Sequence, residues 1–250
     1  MVHVTPLGAQ AESSATALAP TGVLRVGLVE APAAGVLFIR RAKGGQPRGV
    51  TVDLSTDLAR LVGVPLAITI LPNSGEATEA THAAKLDVSF MPVDDVRRQL
   101  VDFGPGYYEL ESTYLVSGAS GITDVAEVDR EGLRIVGIAG TTTIRASSRT
   151  LCATQPQPVP SVADAIGLMR SGHADAFALS RDSLGPLVTD VPGSRIVSGG
   201  FQHTLVAVAV PMGRPGALAA VTAWLQDAKA SGLVRRIFDA HGLASEKVAP

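Results

Sequence analysis

Between residues 23 and 91 strand-like and helix-like segments alternate, and the alternation restarts at residue 133. That order admits few folds. Val23 to Val29 is apolar apart from Arg25, which is the pattern of a strand covered on both faces and hence of a parallel sheet. Gly49-Val50-Thr51-Val52-Asp53 opens a helix whose Leu54, Leu58, Leu61 and Val62 form one apolar stripe, and Gly63 ends it. Pro65 to Leu71 predicts a second strand, Glu76 to Lys85 a second helix and Leu86 to Met91 a third strand. A βαβαβ order implies right-handed crossovers with helices on both faces of a mostly parallel sheet.

In the second run, Leu133 to Ile138 reads as a strand, followed by Ala139-Gly140-Thr141-Thr142-Thr143 and a helical stretch, then a Pro-rich break from Gln155 to Pro160. Ser161 caps a helix through Met169, with Asp164 near its positive end, and Ala174 to Leu179 is again a strand. A second α/β unit of domain size therefore sits inside the first. Two extended segments, Glu111 to Ser117 and Phe201 to Val210, flank it as the natural crossovers. Helices over Ala217 to Ala230, containing Trp224, and Leu233 to Ala240, closed by Gly242, are expected to pack back on the first lobe. The expected organisation is a disordered N-terminal tail over 1–20, a first lobe of 21–112 plus 205–250, and a second lobe of 113–204 with hinge strands at its ends. No internal repeat is visible.

Composition excludes several functions. The net charge of -2, with no local Lys/Arg cluster, argues against a nucleic-acid partner. Cys152 is the only cysteine, so no intramolecular disulfide or thiolate zinc site can form, and it reads as an inert buried thiol. His3, His82, His173, His203 and His241 lack metal-ligand spacing, and nothing signals a cofactor. No apolar run reaches the ~18 residues that span a bilayer, so the mature chain is expected to be soluble. Residues 1 to 22 resemble the end of an export signal without its basic and apolar regions, leaving export or a cytoplasmic location open.

Seven segments, in order, resemble the extracellular solute-binding proteins of family 3. They are Leu24-Arg25-Val26-Gly27; Arg48 to Leu54; Lys85-Leu86-Asp87-Val88; Arg97 with Val101-Asp102-Phe103-Gly104-Pro105-Gly106-Tyr107-Tyr108; Gly140-Thr141-Thr142-Thr143; Gly172-His173-Ala174-Asp175-Ala176; and Ala230-Ser231-Gly232-Leu233 to Gly242. The resemblance covers about Thr21 to Leu243. It implies a type II periplasmic-binding-protein clamshell: two α/β lobes, each a mixed, mostly parallel sheet flanked by helices, two hinge strands and a ligand between the lobes. It also implies a monomeric, periplasmic or extracellular receptor that delivers a small anionic or zwitterionic solute to an ABC permease.

By the same resemblance Arg97 clamps the ligand carboxylate, which a planar guanidinium does bidentately; on position alone it reads as a solvated surface arginine. Gly140, Thr141 and Thr142 form a second anion site at a helix start, or an ordinary threonine cap. Three departures bear on the ligand. Ser180 stands where amino-acid binders of the family keep an Asp, with Asp182 the nearest acid. Pro92 replaces a hydroxyl residue, and Phe90, where a small residue is usual, is either a cleft wall or strand core. The loop Glu30 to Gly35 lacks an aromatic, and its Glu30 is either a substitute negative charge or solvated. A carboxylate clamp without its amine reader points to a small carboxylate or otherwise anionic ligand, with an amino acid less expected than family membership alone implies. Two other classes stay open: a dehydratase-like cleft enzyme drawing on Glu30, Asp94, Asp95 or Asp182, and a ligand-sensing or accessory protein.

Overall fold

Strand β1 (Leu24–Val29) buries every residue but Arg25, as an apolar run covered on both faces requires. It belongs to a computed structural model that describes residues 15–30, 37–41 and 45–250. By contacts these divide into a first unit of 15–30, 37–41, 45–109 and 205–250 and a second of 110–204. The chain thus passes between units twice, inside two strands.

In the first unit a short antiparallel ribbon of β2 (Arg40–Arg41) and β3 (Pro47–Arg48) precedes helix α1 (Val50–Val62). Val50, Leu54, Leu58 and Val62 face the core, and Gly63 ends the helix at φ 75°. Leu61 is not in the stripe; it is 59% exposed. At 3.6 residues per turn Leu61 and Val62 lie about 100° apart, and only Val62 falls under the sheet. Strand β4 (Leu66–Leu71) pairs parallel to β1 from Leu24↔Leu66 onward. Asn73 caps α2 (Ser74–His82), its side chain accepting Glu76 N at 2.9 Å, so the helix starts ahead of the expected Glu76 and ends short of Lys85. Strand β5 (Val88–Pro92) lies parallel on the other side of β1, entirely buried.

Strand β6 (Val101–Val116) carries the chain out of this unit, and β11 (Gln202–Pro211) brings it back antiparallel to β5. Helices α6 (Pro215–Ala230) and α7 (Leu233–Ala240) then pack on each other, with Trp224 Nε1 donating to Asp57 Oδ2 of α1 at 2.9 Å.

The second unit repeats this plan. Parallel strands β7 (Ile135–Ile138), β8 (Gln157–Val159) and β9 (Ala176–Ser180) are ordered β8-β7-β9, as β4-β1-β5 are. The end of β6 pairs antiparallel to β9, as β11 does to β5, and β10 (Arg195–Ile196) adds to its other edge. Helices α3 (Thr142–Thr150) and α4 (Val162–Arg170) take the places of α1 and α2, and α5 (Arg181–Leu187) follows β9. Strand β8 arises from the Pro-rich stretch expected to be a break. It is an edge strand, where Pro158 gives up no needed donor.

The same ion pair staples both sets of parallel strands. Arg25 donates from N and Nε to Asp87 Oδ2 (3.0 and 2.9 Å) and from Nη2 to Oδ1 (2.7 Å). Arg134 does the same to Asp175 at 3.0, 2.9 and 2.6 Å. Each pair joins the first parallel strand to the third at their amino ends. The Arg134 hydrogen bond holds the Asp175 carboxyl below the ordinary carboxylate range. An internal repeat therefore exists in structure, although the sequence shows none.

Two other expectations need correction. The tail over 1–20 is not disordered in its described part: residues 15–18 are helical, and Leu18 and Ala19 are buried. Residues 1–14 lie outside the described residues. Cys152 is exposed, not buried, because it follows α3 in a loop whose Cys152 and Ala153 N–H groups donate to Asp129. Among the described residues no helix is long and apolar enough to cross a membrane.

Candidate functional site

In an open α/β sheet, ligands collect at the carboxyl ends of the parallel strands, because the following loops and helix starts converge there. In the first unit those ends lead into Glu30 after β1, Ser74 after β4 and Arg97 after β5. Asp94 Oδ1 accepts Arg97 N at 2.9 Å and starts the 3-10 turn Arg97–Gln99, which folds the Arg97 side chain back over the strand end. There Nη1 donates to Pro92 O and Nη2 to Ser74 Oγ, both at 2.7 Å. Arg97 is 2% exposed, so it is not a solvated surface residue. Its neighbour Arg98 is exposed, over the Phe103 ring. Pro92 lacks a hydroxyl, yet its carbonyl is an acceptor that holds the guanidinium.

Phe90 is core. It is fully buried in β5, with its ring edge-on to Tyr107 at 5.8 Å, so the cleft-wall reading is corrected. A central strand of a sheet covered on both faces has no side turned to solvent. Glu30 continues β1 by one residue, its N–H donating to Leu71 O at 2.9 Å, with an isolated bridge to Ile39. The loop residues 31–35 lie outside the described residues.

In the second unit the carboxyl end of β7 leads through Gly140, at φ 72°, into the start of α3. Thr141 caps that helix: its hydroxyl accepts Ile144 N at 3.3 Å and donates to Ile138 O at 2.8 Å. The hydroxyl proton expected for an anion is thus spent on the turn itself. The turn also brings a helix start, whose first N–H groups converge, and Thr142 there is 2% exposed. Beside it the carboxyl end of β9 holds Ser180, 5% exposed and opposite Ser112 of β6. Ser180 Oγ donates to Ser183 Oγ at 2.9 Å, so its proton is also committed, while its lone pairs can still accept. Ser183 Oγ lies 3.4 Å from Asp182 Oδ2.

Within the second unit the structure therefore brings Gly140, Thr141, Thr142 and Ser180 to one sheet end. Within the first it sets Arg97 at the corresponding end and leaves Phe90 inside. Sequence reasoning missed Ser74, Ser112 and Thr143. Ser112 and Thr143 hydroxyls lie 3.2 Å apart, buried. The available signal was a run of small hydroxyl residues at strand ends, which is also the usual composition of caps and turns. Among the described residues no cluster of His, Cys, Asp and Glu is placed to hold a metal ion.

Solved structures share this architecture. An ancestral amino acid-binding protein, AncCDT-1, described as a precursor of cyclohexadienyl dehydratase, is 24% identical with a TM-score of 0.75, over 91% of this chain and 98% of that one. The amino acid ABC transporter substrate-binding protein AbpA of Streptococcus pneumoniae, bound to L-arginine, is 22% identical with a TM-score of 0.76, over 92% and 99%. A binding component of an ABC transporter from Wolinella succinogenes, complexed with lysine, is 21% identical with a TM-score of 0.74, over 88% and 95%. A comparison with curated protein sequences found no match. The sequence model of the bacterial extracellular solute-binding proteins, family 3, matches residues 29–244, and the chain belongs to that family.

Proposed function

We propose that this chain is the substrate-binding receptor of an ABC importer, working as a periplasmic or extracellular monomer that binds without chemical conversion. It captures a small polar solute through a carboxylate, closes its two lobes on it and presents the closed form to a membrane permease. The observation that carries this reading is Arg97, a buried guanidinium fixed by hydrogen bonds at the carboxyl end of a parallel sheet. The α3 start at the corresponding end of the second unit's sheet supplies a complementary anion site. Structural neighbours bound to arginine and lysine support the carboxylate, a group those ligands share. Ser180 supports a solute without an amine. A buried ammonium facing a neutral hydroxyl loses several kcal/mol of solvation, against about -8.2 kcal/mol for all of micromolar binding.

Titration calorimetry with L-arginine, L-glutamine and L-lysine against succinate, lactate and pyruvate tests this. Amine-free acids are expected to bind more tightly than the amino acids, and Arg97→Ala to abolish the response. Micromolar binding of an amino acid, with the amine-free acids silent, refutes the amine-free assignment. Binding that survives Arg97→Ala refutes the clamp.

A further inference from the structure

A bidentate clamp needs its guanidinium plane fixed to within about 10–20°, and the long arginine side chain does not provide that by itself. Here acceptors on two different elements hold the plane. Pro92 O, at the end of β5, takes Nη1, and Ser74 Oγ, in the first turn of α2, takes Nη2, each at 2.7 Å. Pro92 is locked into the sheet by its register with Val206 of β11. Its acceptor is a backbone carbonyl, which side-chain substitution leaves in place. Ser74 is the other half of the arrangement. It is 7% exposed, and its hydroxyl is not needed to start the helix, because Asn73 already caps it. The backbone of Ser74 is anchored separately, its carbonyl accepting Thr78 Oγ1 at 2.7 Å.

From this juxtaposition we infer that Ser74 is a positioning residue for solute binding: its hydroxyl orients Arg97 and so sets the affinity for a carboxylate. The inference rests on the reading of Arg97 as the carboxylate clamp. Without the hydroxyl, Arg97 keeps its charge and its bond to Pro92 O but loses the acceptor that holds Nη2. Carboxylate affinity falls while the fold persists. Threonine, which carries a hydroxyl on the same carbon, restores it.

The test uses the full chain with L-glutamine and succinate as probes, and nitrogen-15 spectra of the Arg97 guanidinium as a readout independent of any solute. For each probe that binds the wild type, Ser74→Ala is expected to weaken binding roughly ten-fold, about the loss of one hydrogen bond to a charged group. Ser74→Thr recovers most of it. In the spectra the Nη signals of Arg97 are expected to be resolved in the wild type and averaged by rotation in Ser74→Ala. If Ser74→Ala does not fold, Ser74→Cys, which keeps the volume and weakens the acceptor, takes its place. Unchanged affinity in the variant, or affinity lost and not recovered by threonine at unchanged melting temperature, overturns the inference. If neither probe binds the wild type, the spectra decide: averaged signals in Ser74→Ala support positioning, and identical signals in both proteins overturn it. A failure of the carboxylate reading is thereby kept apart from a failure of this one.

Discussion

Gly49 shows how a single residue fixes the entry to an element. It stands immediately before α1 at φ 148° and ψ 169°, a conformation essentially closed to L side chains. A Cβ there would lie 2.2 Å from the carbonyl oxygen of Phe38. That carbonyl also accepts Thr51 Oγ1 at 2.8 Å, so it is not free to retreat. Gly49→Ala is expected to cost of order 1–3 kcal/mol from the backbone alone, lowering the melting temperature by several degrees. Thermal unfolding checks this, and a variant as stable as the wild type would show that the turn relaxes. The residue scale is also where the sequence was least legible. Arg97 could be placed by the family resemblance, but its two inward bonds could not, because Ser74 lies on another strand-helix connection. Thr141 could be read in sequence as an anion donor or a cap, and Ser180 as a neutral residue in place of an Asp; both hydroxyl protons are spent on their own turns, a choice made by local geometry that composition does not carry.

Among the elements, the parallel strands and the helix ends were legible because each has a local cause: an apolar run, a capping side chain, a glycine at positive φ. Strand β8 and the α5 helix were not, since each contains a proline, Pro158 and Pro186, that argues against it in sequence; β8 forms because the sheet edge tolerates a proline. The repeat escaped because the β2–β3 ribbon lengthens one copy, so no fixed period connects them. Its shared staple can be tested through pH. Arg134 lowers the carboxyl of Asp175 in the folded state, so the pair stabilises fully above the ordinary Asp range, near 3.9, and its contribution is lost as pH falls through the depressed value. Arg134→Gln is expected to lower the urea midpoint at pH 7. That deficit should shrink toward zero as acid protonates Asp175 in both proteins. Asp129 and Glu127, also held below their ordinary range, titrate alike in wild type and variant and cancel in the difference. Circular dichroism in urea at a series of pH values reads the outcome; a deficit independent of pH would mean that Arg134 acts by packing alone.

At the scale of the molecule, two units with separate cores are connected by two strands, and a solute held by both should couple them. Trp224 is the only tryptophan, 3% exposed in α6 of the first unit, so its fluorescence reports that unit alone. Far-ultraviolet dichroism reports both. In the second unit Phe177 is fully buried in β9, within the cluster that includes Leu115, Val136 and Leu179. Phe177→Ala removes about 3–5 kcal/mol from that core. Without solute it should lower the dichroism midpoint more than the Trp224 midpoint. A solute at a hundred times its dissociation constant adds about 2.7 kcal/mol to whatever it holds folded. If Arg97 and the α3 start grip the same molecule, that increment must appear in both signals and draw the two transitions of the variant together. A shift confined to Trp224 would assign the whole solute to the first unit and remove the Gly140–Thr142 turn from the site. Equal shifts of both midpoints in solute-free Phe177→Ala would mean that the units already unfold as one, and binding then has no coupling left to add.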